Sequence, residues 1–239
     1  WKAVTSNDMW CVYYPLCMGM SVIQLPSRDM YWSTEPFGTL PALNWGRYMS
    51  RNRFNQIHTF YYWNPILPED CDANGKLRNK VHAVQPILSA LQHCFKRCFR
   101  LGEHLSADEQ MVPDKSRKNP IRCYMKDKPR KWGIKIWGLC CSTTSYCWNF
   151  KVYTGKGEVW PNEPAAWKTR YGVGARVVLG LTEPLRRHFG ELPFKIHIDR
   201  YFSSPSLCRA AWNERRILVN GTCMSNRKNF PTEIVTFRK

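Results

Sequence analysis

From Leu77 the apolar residues fall at Leu77, Val81, Val84, Leu88, Leu91, Phe95 and Cys98, in alternating steps of four and three. That spacing predicts one apolar face of a long helix over residues 77–98. Pro86 lies inside the run and must kink the helix or restart it, as the proline of a new first turn. After Gly102 the period becomes two. Apolar positions alternate in the run Leu105-Ser106-Ala107-Asp108-Glu109-Gln110-Met111, again over 131–139, and again over 148–153, which predicts three strands, the last two antiparallel neighbours. Val173, Val177, Leu181, Leu185 and Phe189 then recur every fourth residue up to Gly190, a helix pattern weakened by Gly180 and Pro184. Phe194, Ile196 and Ile198 alternate as a further strand, Ser204-Pro205 reads as an N-cap followed by a first-turn proline, and residues 217–224 read as a last strand. Residues 1–75 are rich in Trp, Tyr, Met and Pro with no sustained period, so irregular and helical pieces are expected, with a short helix at 50–57.

Two acids stand out against this pattern. Asp108 interrupts the first strand, and Asp199 closes the strand Phe194-Lys195-Ile196-His197-Ile198. A carboxylate in such a place needs a cation, a metal or a hydrogen-bond donor to meet it. Each has a plain alternative: Ser106-Ala107-Asp108-Glu109 fits a helix capping box, and Asp199 fits a strand-end turn that accepts bonds from Ser203 and Ser204. Helices first, then three strands, helix, strand, helix, strand, with an acid on the first strand and another at the end of the fourth, is a mixed α/β layout. It matches a ribonuclease-H-like sheet flanked by helices, though doubly wound folds also place acids at strand ends.

Charge narrows the partner. The chain of 239 residues has 36 Lys plus Arg against 18 Asp plus Glu, a formal charge of +18, so a polyanion is expected. The basic residues are interleaved with 11 Trp, 11 Tyr and 11 Phe, which favours nucleic acid over a membrane surface. No apolar run reaches the roughly 18 residues that span a bilayer, and no leader pattern is evident, so a soluble intracellular protein without a membrane partner is expected. The chain opens at Trp1 without an initiator Met and stops in a charged stretch at Lys239, which marks it as a fragment or decayed copy of something longer. The 11 cysteines include no C-x-x-C pair; Cys94 and Cys98 with His93 and His104 form one conceivable metal cluster, against the simpler reading of cysteines as small apolar residues. Asn220-Gly221-Thr222 matches a glycosylation sequon by chance.

The residues themselves carry a resemblance. Met18-Gly19-Met20, Leu25-Pro26-Ser27, Tyr31-Trp32, Met49 to Phe54, Ser106 to Val112, Lys128 to Lys135, Val152 to Gly157, Asp199 to Ser204 and Gly221 to Lys228 follow one another as in piggyBac-type transposases. The resemblance implies a DDE transposase: a ribonuclease-H-like core, two Mg2+ ions, no small-molecule cofactor, and cleavage and joining of DNA at TTAA targets in the nucleus. Asp108 matches the first catalytic and metal-binding acid and Asp199 the second. The third acid of the family lies downstream of Lys239. Arg200 stands where Asn usually follows the second acid, Pro113-Asp114-Lys115-Ser116-Arg117 departs from the usual Phe-Lys-Gly-Arg run, and the cysteine-rich tail is not in this sequence. The domain organisation expected is a mainly helical DNA-binding or dimerisation region at 1–103, an incomplete catalytic core at 104–226, and the start of a downstream segment at 227–239.

Phosphodiester cleavage through two metal ions needs acids converging from separate elements. Alternation along a strand turns Glu109 away from Asp108, and neither Glu214 nor Glu233 is well placed as a substitute ligand. Lys115, Arg117, Lys118, Arg122, Lys126, Lys128, Arg130 and Lys131 follow the first acid and are opposed only by Asp114 and Asp127. This run is expected to hold DNA phosphates, with Tyr124 and Trp132 available to stack on bases; a solvated loop is the alternative. Three functions remain open. The chain is part of a transposase, inactive by itself for want of the third acid; a non-catalytic domesticated DNA-binding protein, with a homodimer possible; or a remnant without a role.

Overall fold

A computed structural model describes residues 2–61, 64–155, 160, 163–190, 192–231 and 233. Lys156 and Gly157, the end of one resemblance run, lie outside the described residues, as does most of 227–239 beyond Pro231. The chain divides into two compact units, Trp1–Trp63 and Asn64–Lys239. Among the described residues no helix is long and apolar enough to cross a membrane.

In the first unit a π-helical segment, Asp8–Tyr13, runs into α1 (Tyr14–Val22), and short 3-10 turns lead to α2 (Arg51–Phe60). Ser50 caps α2 by accepting from Arg53 N–H at 3.3 Å. With no long periodic stretch, the core here is aromatic: Tyr13, Tyr31, Trp45 and Phe54 are buried together with Leu16, Met49 and Ile57. The Trp32 indole N–H finds the Met49 carbonyl at 2.7 Å, so an amphipathic ring is satisfied inside the cluster.

The second unit begins with α3 (Gln85–Cys98), followed by β1 (His104–Pro113), β2 (Arg122–Tyr124), β3 (Trp132–Cys141) and β4 (Cys147–Val152). It continues with α4 (Ala166–Arg170), α5 (Val173–Phe189), β5 (Lys195–Ile198), α6 (Pro205–Arg215) and β6 (Leu218–Gly221). The six-stranded mixed sheet runs β3-β1-β5-β6, with β2 and β4 both paired to the outer edge of β3, β2 along its first half and β4 along its second. β1 pairs antiparallel with β3 and parallel with β5, and β5 parallel with β6. The parallel pairs are those whose connections contain α5 and α6, the long crossovers that parallel strands require.

Two sequence expectations change. The helix expected from Leu77 starts only at Gln85, with Pro86 in its first turn. Upstream, Leu77 bridges Cys71, and the Asn79 side chain accepts from Val81 N–H at 3.1 Å, a local turn that competes with helix. A sixth strand, β2, is too short to show a period. The expected boundary at 103/104 follows the change of period, whereas contacts divide the chain at 63/64. The reason is that α3 packs on the sheet: Gln92 Nε2 donates to the Phe150 carbonyl at 2.6 Å, Tyr146 OH donates to the Phe95 carbonyl at 3.2 Å, and the Phe95 and Phe150 rings lie 5.7 Å apart.

α5 survives its two weak positions. A side chain at Gly180 would overlap the Trp160 ring, so glycine is needed there for close approach, and helix continues through Pro184. Val177, Val178, Leu181 and Leu185 of α5 meet Leu105, Ala107, Trp137, Leu139, Trp148 and Ile196 of the sheet in one core. Asn149, buried in that core, donates to the Leu181 carbonyl at 2.8 Å. The Arg215 guanidinium reaches the Leu179 carbonyl and the Thr182 hydroxyl and ties α6 to α5.

Candidate active site

β1 sets Leu105, Ala107 and Glu109 toward the core side and Ser106, Asp108 and Gln110 toward an open pocket shared with Gly138, Cys140 and His197. The capping-box alternative for Asp108 therefore fails, because its segment is a ten-residue strand. On the neighbouring parallel strand, Ser106 is level with His197 and Ala107 with Ile198. The next step of the same register would set Asp108 beside Asp199, one residue beyond β5. Sheet register thus sets opposite each other the residues that precede two acids 91 positions apart in sequence.

Both acids are exposed. Asp108 Oδ1 accepts from Glu109 N–H at 2.7 Å. Asp199 Oδ1 accepts from Tyr201 N–H at 2.8 Å and Phe202 N–H at 3.4 Å. Asp199 does close a strand-end turn, then, but through the amides of residues 201 and 202 rather than through Ser203 or Ser204 side chains; Ser203 N–H instead donates to the Asp199 carbonyl at 3.2 Å. This turn is held from several sides. A Cβ on Gly174, at the start of α5, would come within 2.7 Å of the Tyr201 carbonyl oxygen. Phe202 is buried, Tyr201 stacks on Trp137 at 6.1 Å, and Arg227 donates to the Arg200 and Tyr201 carbonyls at 2.9 and 3.0 Å. Lys135 Nζ sits 3.9 Å from the Trp137 ring centroid. None of these supports was visible in sequence, where Gly174, Trp137 and Arg227 sit in unrelated elements.

The partner of Glu109, turned away from Asp108 as alternation predicts, was also missed. The Glu109 carboxylate meets Lys128 Nζ at 3.3 Å, and Lys128 Nζ also lies 3.3 Å from the Glu109 carbonyl oxygen, which ties the basic run to the strand carrying Asp108. Burial raises the Glu109 pKa, the Asp108 charge raises it further, and Lys128 opposes both. A carboxyl whose pKa is higher in the folded chain helps folding while protonated, and that help is lost as pH rises through the interval between its unfolded and folded values. Glu109→Gln is therefore expected to melt at a higher temperature than the parent at pH 7, with the difference closing below about pH 4, near the unfolded value. Thermal denaturation across that range checks the sign.

The basic run forms the β2–β3 hairpin and the loop before it. Lys115, Arg117, Lys118, Lys126, Arg130 and Lys131 are exposed, and among the described residues their charged groups meet no acid. Arg122 is half-buried, with its guanidinium 4.3 Å above the Trp132 ring, and Lys128 is occupied by Glu109. Tyr124 and Trp132 are directly opposed across β2 and β3, 5.1 Å apart, and each is about half exposed.

The acids fit a hard cation in part. Oxygen donors at neighbouring strand positions suit an ion that keeps most of its waters. Among the described residues no group of three or more His, Cys, Asp or Glu side chains could hold a metal, so the donors for a second ion are not assembled from them. The cluster conceived around Cys94, Cys98, His93 and His104 does not form: His93 pairs with Arg97 at 3.3 Å on α3, while His104 Nδ1 lies 3.1 Å from His197 Nε2.

The fold is that of a solved relative. The chain is similar to piggyBac transposase in a cryo-EM structure of its synaptic complex with hairpin DNA, with a TM-score of 0.75, 24% identity, and coverage of 100% of this chain and 46% of that one. This chain thus spans about half the length of that protein, and the likeness makes its sheet and flanking helices ribonuclease-H-like. The DDE class to which the sequence resemblance points works with divalent metal ions. The family model described as Transposase IS4, of the DDE type, matches residues 1–239, and the chain belongs to that family.

Proposed function

We propose that this chain belongs to a DDE transposase core that cuts and joins DNA with Mg2+, with Asp108 and Asp199 as metal-binding acids and the β2–β3 hairpin as a phosphate clamp. The observation that carries the reading is the parallel register of β1 and β5, with Ala107 opposite Ile198, whose next step would be Asp108 opposite Asp199. Mg2+, when bound, supplies charge relief at the scissile phosphate. Asp108 and Asp199 offer exposed carboxylate oxygens for it at the mouth of the sheet, and the Asp199 turn is preorganised by Gly174, Phe202 and Arg227. The hairpin starts from the strand that follows Asp108, so its free cations lie along the path a DNA backbone takes to reach the acid. Exposed Tyr124 and Trp132 offer stacking faces beside that path.

The same reading expects a nuclear location, a homodimer, and a role for the first unit and α3 in DNA binding or dimerisation. A second reading, a domesticated DNA-binding protein without catalysis, is favoured by one observation: among the described residues no three His, Cys, Asp or Glu side chains gather where a metal could be held. The two separate in one experiment. The chain, alone and joined to a downstream family segment that supplies the third acid, is incubated with duplex DNA in Mg2+ or EDTA, beside Asp108→Asn and Asp199→Asn in the joined form. Catalysis predicts Mg2+-dependent strand breaks that each substitution lowers by about 100-fold or more, the rate equivalent of losing a few kcal/mol of charge stabilisation. DNA binding with no breaks, unaltered by either substitution, selects the second reading.

A further inference from the structure

The end of the β3–β4 ladder holds a pair of cysteines that neither reading uses. β3 and β4 pair with Leu139 opposite Asn149, and continuing that register would set Cys140 against Trp148. A bulge between Leu139 and Cys140 shifts it by one, so that Cys140 faces Cys147 instead. Trp148 is left to the core, where it is fully buried. Directly opposed residues of an antiparallel pair have Cα atoms about 4.5–5.5 Å apart, inside the range of roughly 4.4–6.8 Å that a disulfide spans. Both cysteines are free thiols, and the Cys147 Sγ–H donates to the Asn149 carbonyl at 3.7 Å.

Access differs sharply among the neighbours. Cys140 lines the open pocket with Ser106, Asp108 and Gly138. Cys141, next in sequence, also borders that pocket, but its side chain is buried at 3% exposure on the face of Leu105, its partner on β1, whereas Cys147 is the residue opposite Cys140.

We propose that Cys140 and Cys147 are a redox modification site, closing reversibly to a cross-strand disulfide when a small peroxide enters the pocket beside Asp108. The Cys140 thiolate attacks one oxygen of hydrogen peroxide; the O–O bond breaks, a sulfenic acid forms, and the departing hydroxide takes a proton to become water. The Cys147 sulfur then attacks the Cys140 sulfur, the S–O bond breaks, and hydroxide leaves with the Cys147 proton as a second water. Each sulfur loses one electron, and the peroxide gains two.

The test is peptide mapping of the full chain. Protein is treated with dilute hydrogen peroxide, remaining thiols are alkylated without reductant, and the digest is read by mass spectrometry. The expected product is a Cys140–Cys147 link that persists in Cys141→Ala, is absent from Cys147→Ser, disappears on treatment with dithiothreitol, and raises Tm by about 5 °C. The proposal is overturned if both thiols are alkylated after oxidation, if Cys140 stops at the sulfinic acid, or if Cys147 is found linked to Cys141 or another cysteine. Because the parent chain gives the decisive reading, misfolding of a variant does not blur the outcome, and the result is independent of whether the chain cuts DNA.

Discussion

Replacing Lys115, Arg117, Lys118 and Arg130 together with alanine is expected to weaken duplex DNA binding by roughly four thousand-fold at about 0.1 M salt. The magnitude follows from counterion release: each phosphate neutralised contributes about 0.9 to the slope of log affinity against log salt, which at 0.1 M is about 0.9 of a decade. Four contacts make between three and four decades, and the slope itself should fall by about the same number. These four are chosen because they are exposed, meet no acid among the described residues, and lie on the hairpin and its approach, away from the core. Substituting them removes charge without opening a cavity, so the melting temperature should stay close to that of the parent. Anisotropy titrations at several salt concentrations give both numbers. A loss under tenfold with an unchanged slope would mean that the run is a solvated loop. Arg122 and Lys128 are poor choices for this test, since Trp132 and Glu109 already engage them and their loss would perturb the hairpin as well.

The second large effect is on stability. Trp148→Ala should cost about 3–5 kcal/mol, the range for removing a large buried aromatic side chain. Trp148 is fully buried on β4, with the His188 ring 5.4 Å and the Phe189 ring 5.6 Å away at the end of α5. Its loss would leave a void between sheet and helix that few neighbours can fill. Trp148→Phe should cost much less, for a reason particular to this site. The indole N–H is buried and finds no acceptor among the described residues, so phenylalanine removes an unpaired donor along with part of the ring. Urea unfolding at constant slope, followed for both variants, separates the cavity from the donor. Equal costs would show that the indole nitrogen is satisfied after all.

The candidate site was legible in the chain to different depths. Asp108 and Asp199 could be named because the residues around them follow the order of a known family and because each interrupts or ends an alternating run. That the strands leading to them are neighbours could not be read, since it depends on β1 and β5 pairing in parallel at one register out of several, with α5 seating its apolar face on the sheet. The supports of the Asp199 turn come from the start of α5, from β3 and from residue 227, and no local pattern connects them. Glu109 could be assigned to the core-facing side by alternation alone; its pairing with Lys128 could not, because it needs the hairpin to fold back over β1.

The same division runs through the fold. Long segments with a clean period declared themselves: α5, β1, β3 and β5 lie where the spacing of apolar residues puts them, because burying one face of a helix or strand is a local constraint repeated many times. Short or conflicted segments did not. The stretch at 77–84 has helical spacing but folds as turns, because Asn79 satisfies the backbone locally and Pro86 begins a new first turn. β2 is three residues long and exists only because β3 offers it an edge. The facing of Cys140 and Cys147 depends on a bulge that no spacing encodes. The sequence by itself determined the lineage, the class of the elements and the strong positive charge, and it singled out the two acids as candidates, all from properties of residues and their near neighbours. Tertiary structure alone decided which residues from distant segments meet, because register, crossover and bulge are settled by the packing of the whole second unit at once.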